Sequence, residues 1–183
     1  QFALLIVITS FCETSITIFT FYWAPWLSSL VMDAPEWLPY EIIFSCFIVA
    51  SMLGNYAFQL FHESMFGSIE NAFQALLICS SISYFLGAIF QTSFMVFCIS
   101  LLVQFCMGGY WPSVGYMRGK IVMSEFRNMA LIFPRVITFV LTSIILTLFK
   151  HSPLLVLSSC AVLNGAAAYI QNVYVSTTPG NVA

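Results

Sequence analysis

A glutamate inside a long apolar run is the first residue of this sequence that could do chemistry. Glu13 opens the segment ETSITIFTFYWAPWL and shares one helical face with Thr9, Thr17 and Thr20. A charged side chain in the middle of a bilayer costs at least ~2.5–3.5 kcal/mol, so this face must meet protein or a water-filled cavity. The carboxylate is then structural, paired with a cation, or a carrier of protons.

An arginine inside another apolar run is the second such residue. Arg135 shares a face with Thr138 and Thr142 and lies ~10 Å from the nearer end of its run, at 1.5 Å per residue. A guanidinium stays charged and offers donors in a fork, which suits an anion or the carboxylate of Glu13. The alternative is an arginine that snorkels to the membrane surface. Pro134 predicts a kink in this helix.

The composition identifies the medium around these helices. Of the 183 residues 61% are hydrophobic, 7% are charged and 19 are Phe. A soluble domain carries roughly 25% charged residues, so too few are present to cover a water-facing surface. The sequence therefore predicts an integral membrane protein in contact with the lipid bilayer.

The predicted fold class is all-α, a polytopic transmembrane bundle that fills residues 1–175, followed by a polar tail at 176–183. A spanning helix needs ~20 mostly apolar residues. Six runs meet this length, at about 2–28, 41–61, 72–90, 94–114, 129–149 and 154–174. Weaker polar faces mark the second and fourth runs through Asn55 and Gln104, whereas the third and sixth offer small residues that suit close helix packing.

The loops predict the orientation. The loop 113–128 carries Arg118, Lys120, Glu125 and Arg127, whereas the opposite side has Lys150 among its basic residues. The positive-inside rule then places this loop and both termini in the cytoplasm. The membrane is predicted to be the plasma membrane.

The aromatic cluster WAPW is predicted to close the first helix at Pro25, with Trp26 near the outer interface, where Trp is common. The chain begins at Gln1, already inside an apolar run, which favours a piece of a longer protein.

No enzyme motif is found in the sequence. His62-Glu63 is not followed by the second His of a zincin, and no G-x-S-x-G elbow or P-loop occurs. The six cysteines lie in apolar runs and are interpreted as small buried hydrophobic residues. We expect no metal, no cofactor and no nucleic acid. A solute carrier, a channel subunit and a structural membrane protein remain as candidates.

Four stretches, in order, resemble the eukaryotic molybdate-anion transporter family of the major facilitator superfamily. E-x-S-x-x-x-F-x-F-x-W-x-P-x-L at 13–27 is similar to that family's seventh span. ASMLG at 50–54 resembles the eighth, and WPSVGYMRGKI at 111–121 resembles the end of the tenth. R-x-x-x-x-x-F-x-R at 127–135 resembles the entry to the eleventh.

The resemblance implies helices seven to twelve of a twelve-helix carrier, whose partner is a missing N-terminal six-helix half. It implies a molybdate-type oxyanion as substrate and alternating access as mechanism. It also implies that the first, second, fourth and fifth spans line the central cavity. The anion would be held by Arg135 with hydroxyls of the first and fifth spans and the amides of Asn55 and Gln104, and Glu13 would couple protons or hold Arg135. A cytoplasmic gate would contain Arg118, Lys120, Glu125 and Arg127.

Departures from the family's pattern are Met123-Ser124, Pro134 and the loop HESMFGSIE, which lacks the superfamily's basic signature. They motivate an alternative, a non-transporting or truncated paralogue that acts only as an assembly partner.

Overall fold

The computed structural model describes residues 2–31, 38–122, 127–149 and 152–177. These ranges contain six α-helices and no strand: α1 Phe2–Ser29, α2 Tyr40–Phe66, α3 Ile69–Ile89, α4 Ser93–Ile121, α5 Arg127–Phe149 and α6 Pro153–Thr177. Each is long and apolar enough to cross a membrane. The predicted all-α bundle with six spans is therefore confirmed.

Two of the predicted loops are shorter than expected. The first is the segment 62–71, where α2 continues to Phe66. Gly67 then takes a left-handed conformation with φ 68°, which glycine adopts without steric cost, and its N–H donates to the carbonyl of Glu63. The next residue, Ser68, caps α3 by accepting a hydrogen bond from the N–H of Asn71.

The second is the segment 113–128, whose first part is helical because α4 continues to Ile121. Pro112 removes one backbone donor, but Val114 and Met117 are fully buried beyond it, and that burial maintains the helix. Arg118 and Lys120 therefore lie on the last turns of α4 and not in a loop.

The aromatic cluster at the end of α1 differs from its predicted arrangement. The helix runs through Pro25 to Ser29, so the proline does not end it. Trp26 is buried against Gly87 of α3, and its Nε1–H donates to Oε1 of Gln91 at 3.3 Å. Packing between helices therefore surrounds the side chain of this tryptophan, while its predicted place near the outer membrane interface stays a prediction.

Small residues set the closest approaches between helices. At the α2–α4 crossing a Cβ on Gly54 would overlap the carbonyl oxygen of Phe105, and one on Gly108 would overlap that of Ser51. The α3–α6 contact is also extensive, and the hydroxyl of Ser81 donates to the carbonyl of Ala161 at 2.8 Å. Close packing through small residues of α3 and α6, expected from the sequence, is confirmed.

The cysteines do not all have the environment that the sequence suggested. Cys12, Cys106 and Cys160 are buried, whereas Cys98 is exposed on the outer surface of α4. All six thiols are free. The burial expected for Cys98 was wrong because its side chain lines an open groove between α4 and α2.

Candidate functional site

Glu13 lies in the bundle with two donors on one of its oxygens. Nη2 of Arg118 is 3.2 Å from Oε1, and the hydroxyl of Tyr110 donates to the same Oε1 at 3.1 Å. The side chains of Glu13 and Arg118 are 13% and 17% exposed. The carboxylate predicted from the sequence therefore has a cationic partner, which is an arginine of α4 and not Arg135.

Arg135 lies on the open side of the same region. Its side chain is exposed, and within the described part of the chain it has no ion-pair partner. It lines an open cavity of about 240 Å³ between α1, α4 and α5. The other lining residues are Glu13, Ile16, Thr17, Trp111, Thr138 and Phe139.

Only some of the hydroxyls expected near the anion lie at the cavity. Thr9 is buried, and Thr20 is exposed away from the cavity; each donates to a carbonyl of α1. Thr17 lines the cavity and donates to the carbonyl of Glu13 at 2.7 Å, as threonines within helices commonly do. Such a hydroxyl must rotate before it donates to a ligand, because its single proton is already used.

The two threonines of α5 differ in the same respect. Thr138 lines the cavity and donates to the carbonyl of Ser10 at 3.3 Å, which joins α5 to α1. Thr142 is buried, and its Oγ1 has no hydrogen-bond partner in the described part of the chain. Of the hydroxyls predicted from the sequence, Thr17 and Thr138 are thus the ones that reach the cavity.

The amides proposed from the sequence are not part of this cavity. Asn55 is exposed on α2 and accepts a hydrogen bond from Nε2 of Gln59 at 2.9 Å. Gln104 lies half-buried on α4. The cavity is lined by α1, α4 and α5, whereas the resemblance implied that α2 also contributes.

The residues expected to form a cytoplasmic gate do not share one set of partners. Nζ of Lys120 contacts Oε1 of Glu70 at 2.8 Å, and the backbone carbonyl of Glu70 accepts from Nε2 of Gln171. Lys120 therefore joins α4 to α3 within this chain, just as Arg118 joins α4 to α1. Arg127 begins α5. Glu125 and Lys150 lie outside the described residues, as do Asp33, Glu36, Trp37 and His151.

Sequence reasoning missed Tyr110 as a ligand of Glu13. The spacing of residues on α4 could have indicated it. Tyr110 and Arg118 are eight residues apart with the buried Val114 midway between them, and residues four apart lie on the same side of a helix. What the sequence lacks is any indication that this side faces α1.

The described residues form six membrane-length helices, three of which line a charged cavity, and this defines an integral, multi-pass membrane protein. The family described as "Sugar-transporters, 12 TM" matches residues 1–110, and the chain belongs to this transporter family of the major facilitator type. A molybdate-anion transporter from Takifugu rubripes is 28% identical over 124 residues, which is 63% of this chain and 24% of that protein. The chain thus spans about a quarter of that relative's length. No solved structure matches.

Proposed function

We propose that this chain is the C-terminal half of a carrier that moves an oxyanion of the molybdate type across a membrane by alternating access. The six helices would correspond to helices seven to twelve of the complete carrier. The anion would bind in the cavity between α1, α4 and α5.

The observation that carries the proposal is the guanidinium of Arg135, which has no ion-pair partner among the described residues. Glu13 lines the same cavity, but its carboxylate already has Arg118 and Tyr110 as partners. A permanently charged, exposed guanidinium beside an ion pair leaves the cavity with an unbalanced positive charge. An anion is the ligand that balances it, and the forked donors of arginine match the paired oxygens of an oxyanion.

The rest of the lining supports a small, compact anion. Thr17 and Thr138 can turn their hydroxyls toward a bound oxygen, and Trp111 and Phe139 add apolar surface to the lining. The choice of molybdate rests on the resemblance of residues 13–27 to molybdate-anion transporters and on the name of the matched relative. Sulfate, phosphate and tungstate share the tetrahedral shape and are the competitors to compare.

The missing half is inferred from exposed helix faces and the length of the relative. The spanning windows of α2 and α5 are only 17% and 22% buried, the lowest values of the six helices. Their open faces would be covered by an N-terminal six-helix half and by lipid. With the loop between α4 and α5 in the cytoplasm, both termini would also be cytoplasmic. The membrane would be the plasma membrane.

The test is uptake of radiolabelled molybdate by the complete carrier in a host that lacks its own molybdate transport. Arg135→Gln keeps a polar side chain but removes the charge and the fork, and we expect uptake to fall at least tenfold because a charge-assisted contact is lost. Arg135→Lys restores the charge without the fork and should recover part of the affinity.

Glu63→Gln is the control, since Glu63 is an exposed carboxylate at the end of α2, remote in sequence from the cavity residues. Uptake is normalised to the amount of carrier in the membrane. If Arg135→Gln transports molybdate with wild-type rate and affinity, the anion site is elsewhere. If the wild-type carrier is correctly inserted and transports no oxyanion, the proposed function is wrong.

A further inference from the structure

Three charges that do not cancel lie at or next to the cavity: Glu13 and Arg135 line it, and Arg118 contacts Glu13 without lining the cavity itself. Arg118 and Arg135 contribute two positive charges and Glu13 one negative charge, which leaves one net positive charge when the carboxylate is ionised. Protonation of Glu13 raises the net charge to two. A monoanion therefore balances the first state, whereas a dianion balances the second.

No other described group near Glu13 alters this sum. From α4 it faces Tyr110 and Arg118, and α5 presents Arg135. The titratable groups nearby in α1, α3 and α6 are Cys12, Tyr84 and Cys160. The thiol of Cys12 donates to Oδ1 of Asn164, the hydroxyl of Tyr84 donates to the carbonyl of Ser15, and the carbonyl of Cys160 accepts from the hydroxyl of Ser15. None of the three is bonded to the carboxylate of Glu13 within the described residues.

We propose that Arg118 is a second anion-binding residue, masked by Glu13 when the cavity is empty and released by protonation of Glu13, so that a dianionic oxyanion enters with one proton. The inference rests on the proposed function and names the charge state of its substrate. Glu13 stands between Arg118 and the cavity, because it contacts Arg118 directly and also lines the cavity.

The exchange balances in protons and charges. One proton adds to the carboxylate of Glu13, and the contact between Nη2 of Arg118 and Oε1 is given up. The freed guanidinium donates to an oxygen of the entering anion, while Arg135 donates to the same anion from α5. The hydroxyl of Tyr110 remains near the neutral carboxyl group, which holds the side chain of Glu13 in place. Release of the anion reverses each step.

A comparison of molybdate uptake with perrhenate uptake distinguishes this proposal from a site that binds any anion. Both are tetrahedral, but near neutral pH molybdate is a dianion and perrhenate a monoanion. The complete carrier is placed in proteoliposomes, and uptake of each anion is measured at mildly acidic and at neutral external pH, together with proton movement. For the wild type we expect acid to stimulate molybdate uptake with one proton per molybdate, and perrhenate uptake to change little.

The double variant Glu13→Gln/Arg118→Gln is the decisive one. It keeps the net charge of the unprotonated wild-type site, since one charge of each sign is removed. Perrhenate uptake should therefore persist, which also shows that the variant is folded. Molybdate uptake should fall about tenfold or more and lose its stimulation by acid.

The single variant Glu13→Gln leaves Arg118 permanently unmasked. We expect molybdate to bind at neutral pH about tenfold more tightly than in the wild type, without dependence on pH and without proton movement. Glu63→Gln should keep the pH profile of the wild type.

Several outcomes overturn the inference while the proposed function stands. These are wild-type pH dependence in Glu13→Gln, wild-type molybdate uptake in the double variant, loss of both anions in the double variant, and equal pH dependence for both anions in the wild type. Failure of the wild type to transport any oxyanion overturns the proposed function and this inference together.

Discussion

The crossing of α2 and α4 gives the sharpest prediction on stability. In Gly108→Ala the new Cβ would overlap the carbonyl oxygen of Ser51 and lie 2.7 Å from the backbone nitrogen of Asn55. Ordinary contacts are ~3.5–4.0 Å, so the two backbones must separate by more than about 1 Å. Overpacking of this kind costs about 1–3 kcal/mol, and rigid backbone on both sides favours the upper end.

The gain in helix propensity opposes this cost but is smaller. Alanine is favoured over glycine in a helix interior by about 0.5–1 kcal/mol, which leaves Gly108→Ala destabilised by about 2 kcal/mol. Gly115→Ala on the same helix is the matched control, because a Cβ there has no neighbour within 4 Å. It gains the propensity without the clash.

Thermal unfolding of the two variants in detergent, followed by the loss of the monodisperse peak in size-exclusion chromatography, measures this difference. We expect Gly108→Ala to melt below the wild type and Gly115→Ala to melt at or slightly above it. If Gly108→Ala melts as high as Gly115→Ala, the backbones of α2 and α4 are not in contact at this residue and the described crossing is wrong.

Two further pairs of variants test contacts around the cavity and at the end of α4. Thr142→Val removes a buried hydroxyl that has no partner in the described part of the chain, and the change should be neutral or stabilising. Thr138→Val loses the hydrogen bond to Ser10 and should cost about 1 kcal/mol, so equal melting temperatures for the two variants would contradict this account. Lys120→Gln leaves the buried carboxylate of Glu70 without its cation and should cost about 1–2 kcal/mol, since Lys120 itself is 41% exposed. Glu70→Gln should cost less, because the lysine left behind is hydrated, and the reverse order of melting temperatures would refute this account.

The helices themselves could be predicted because their signal is local. Long apolar runs fix six spans, and the structure begins and ends its helices near the predicted positions. The errors concern ends. Pro25 suggested the end of α1, and the fourth run was expected to end at 114. Both helices continue because apolar residues further along them, such as Trp26 and Met117, are buried against neighbouring helices.

The candidate site was predicted only in part. Glu13 and Arg135 could be recognised from the sequence because a charge inside an apolar run is energetically costly, and both residues line the cavity. The ion pair of Glu13 could not be assigned, because Arg118, Arg135 and Lys120 are all cations on helices whose neighbours the sequence does not state. Arg118 was placed in a loop, and the extension of α4 brings it to Glu13 instead.

The sequence by itself determined the medium, the number of helices and the presence of two charges that need partners, since these follow from hydropathy and from the cost of a charge in hydrocarbon. Only the tertiary structure decided which cation meets Glu13 and which remains free. That choice depends on how α1, α4 and α5 rotate and cross. The crossing is set by contacts between residues far apart in the chain, such as Thr138 of α5 with Ser10 of α1.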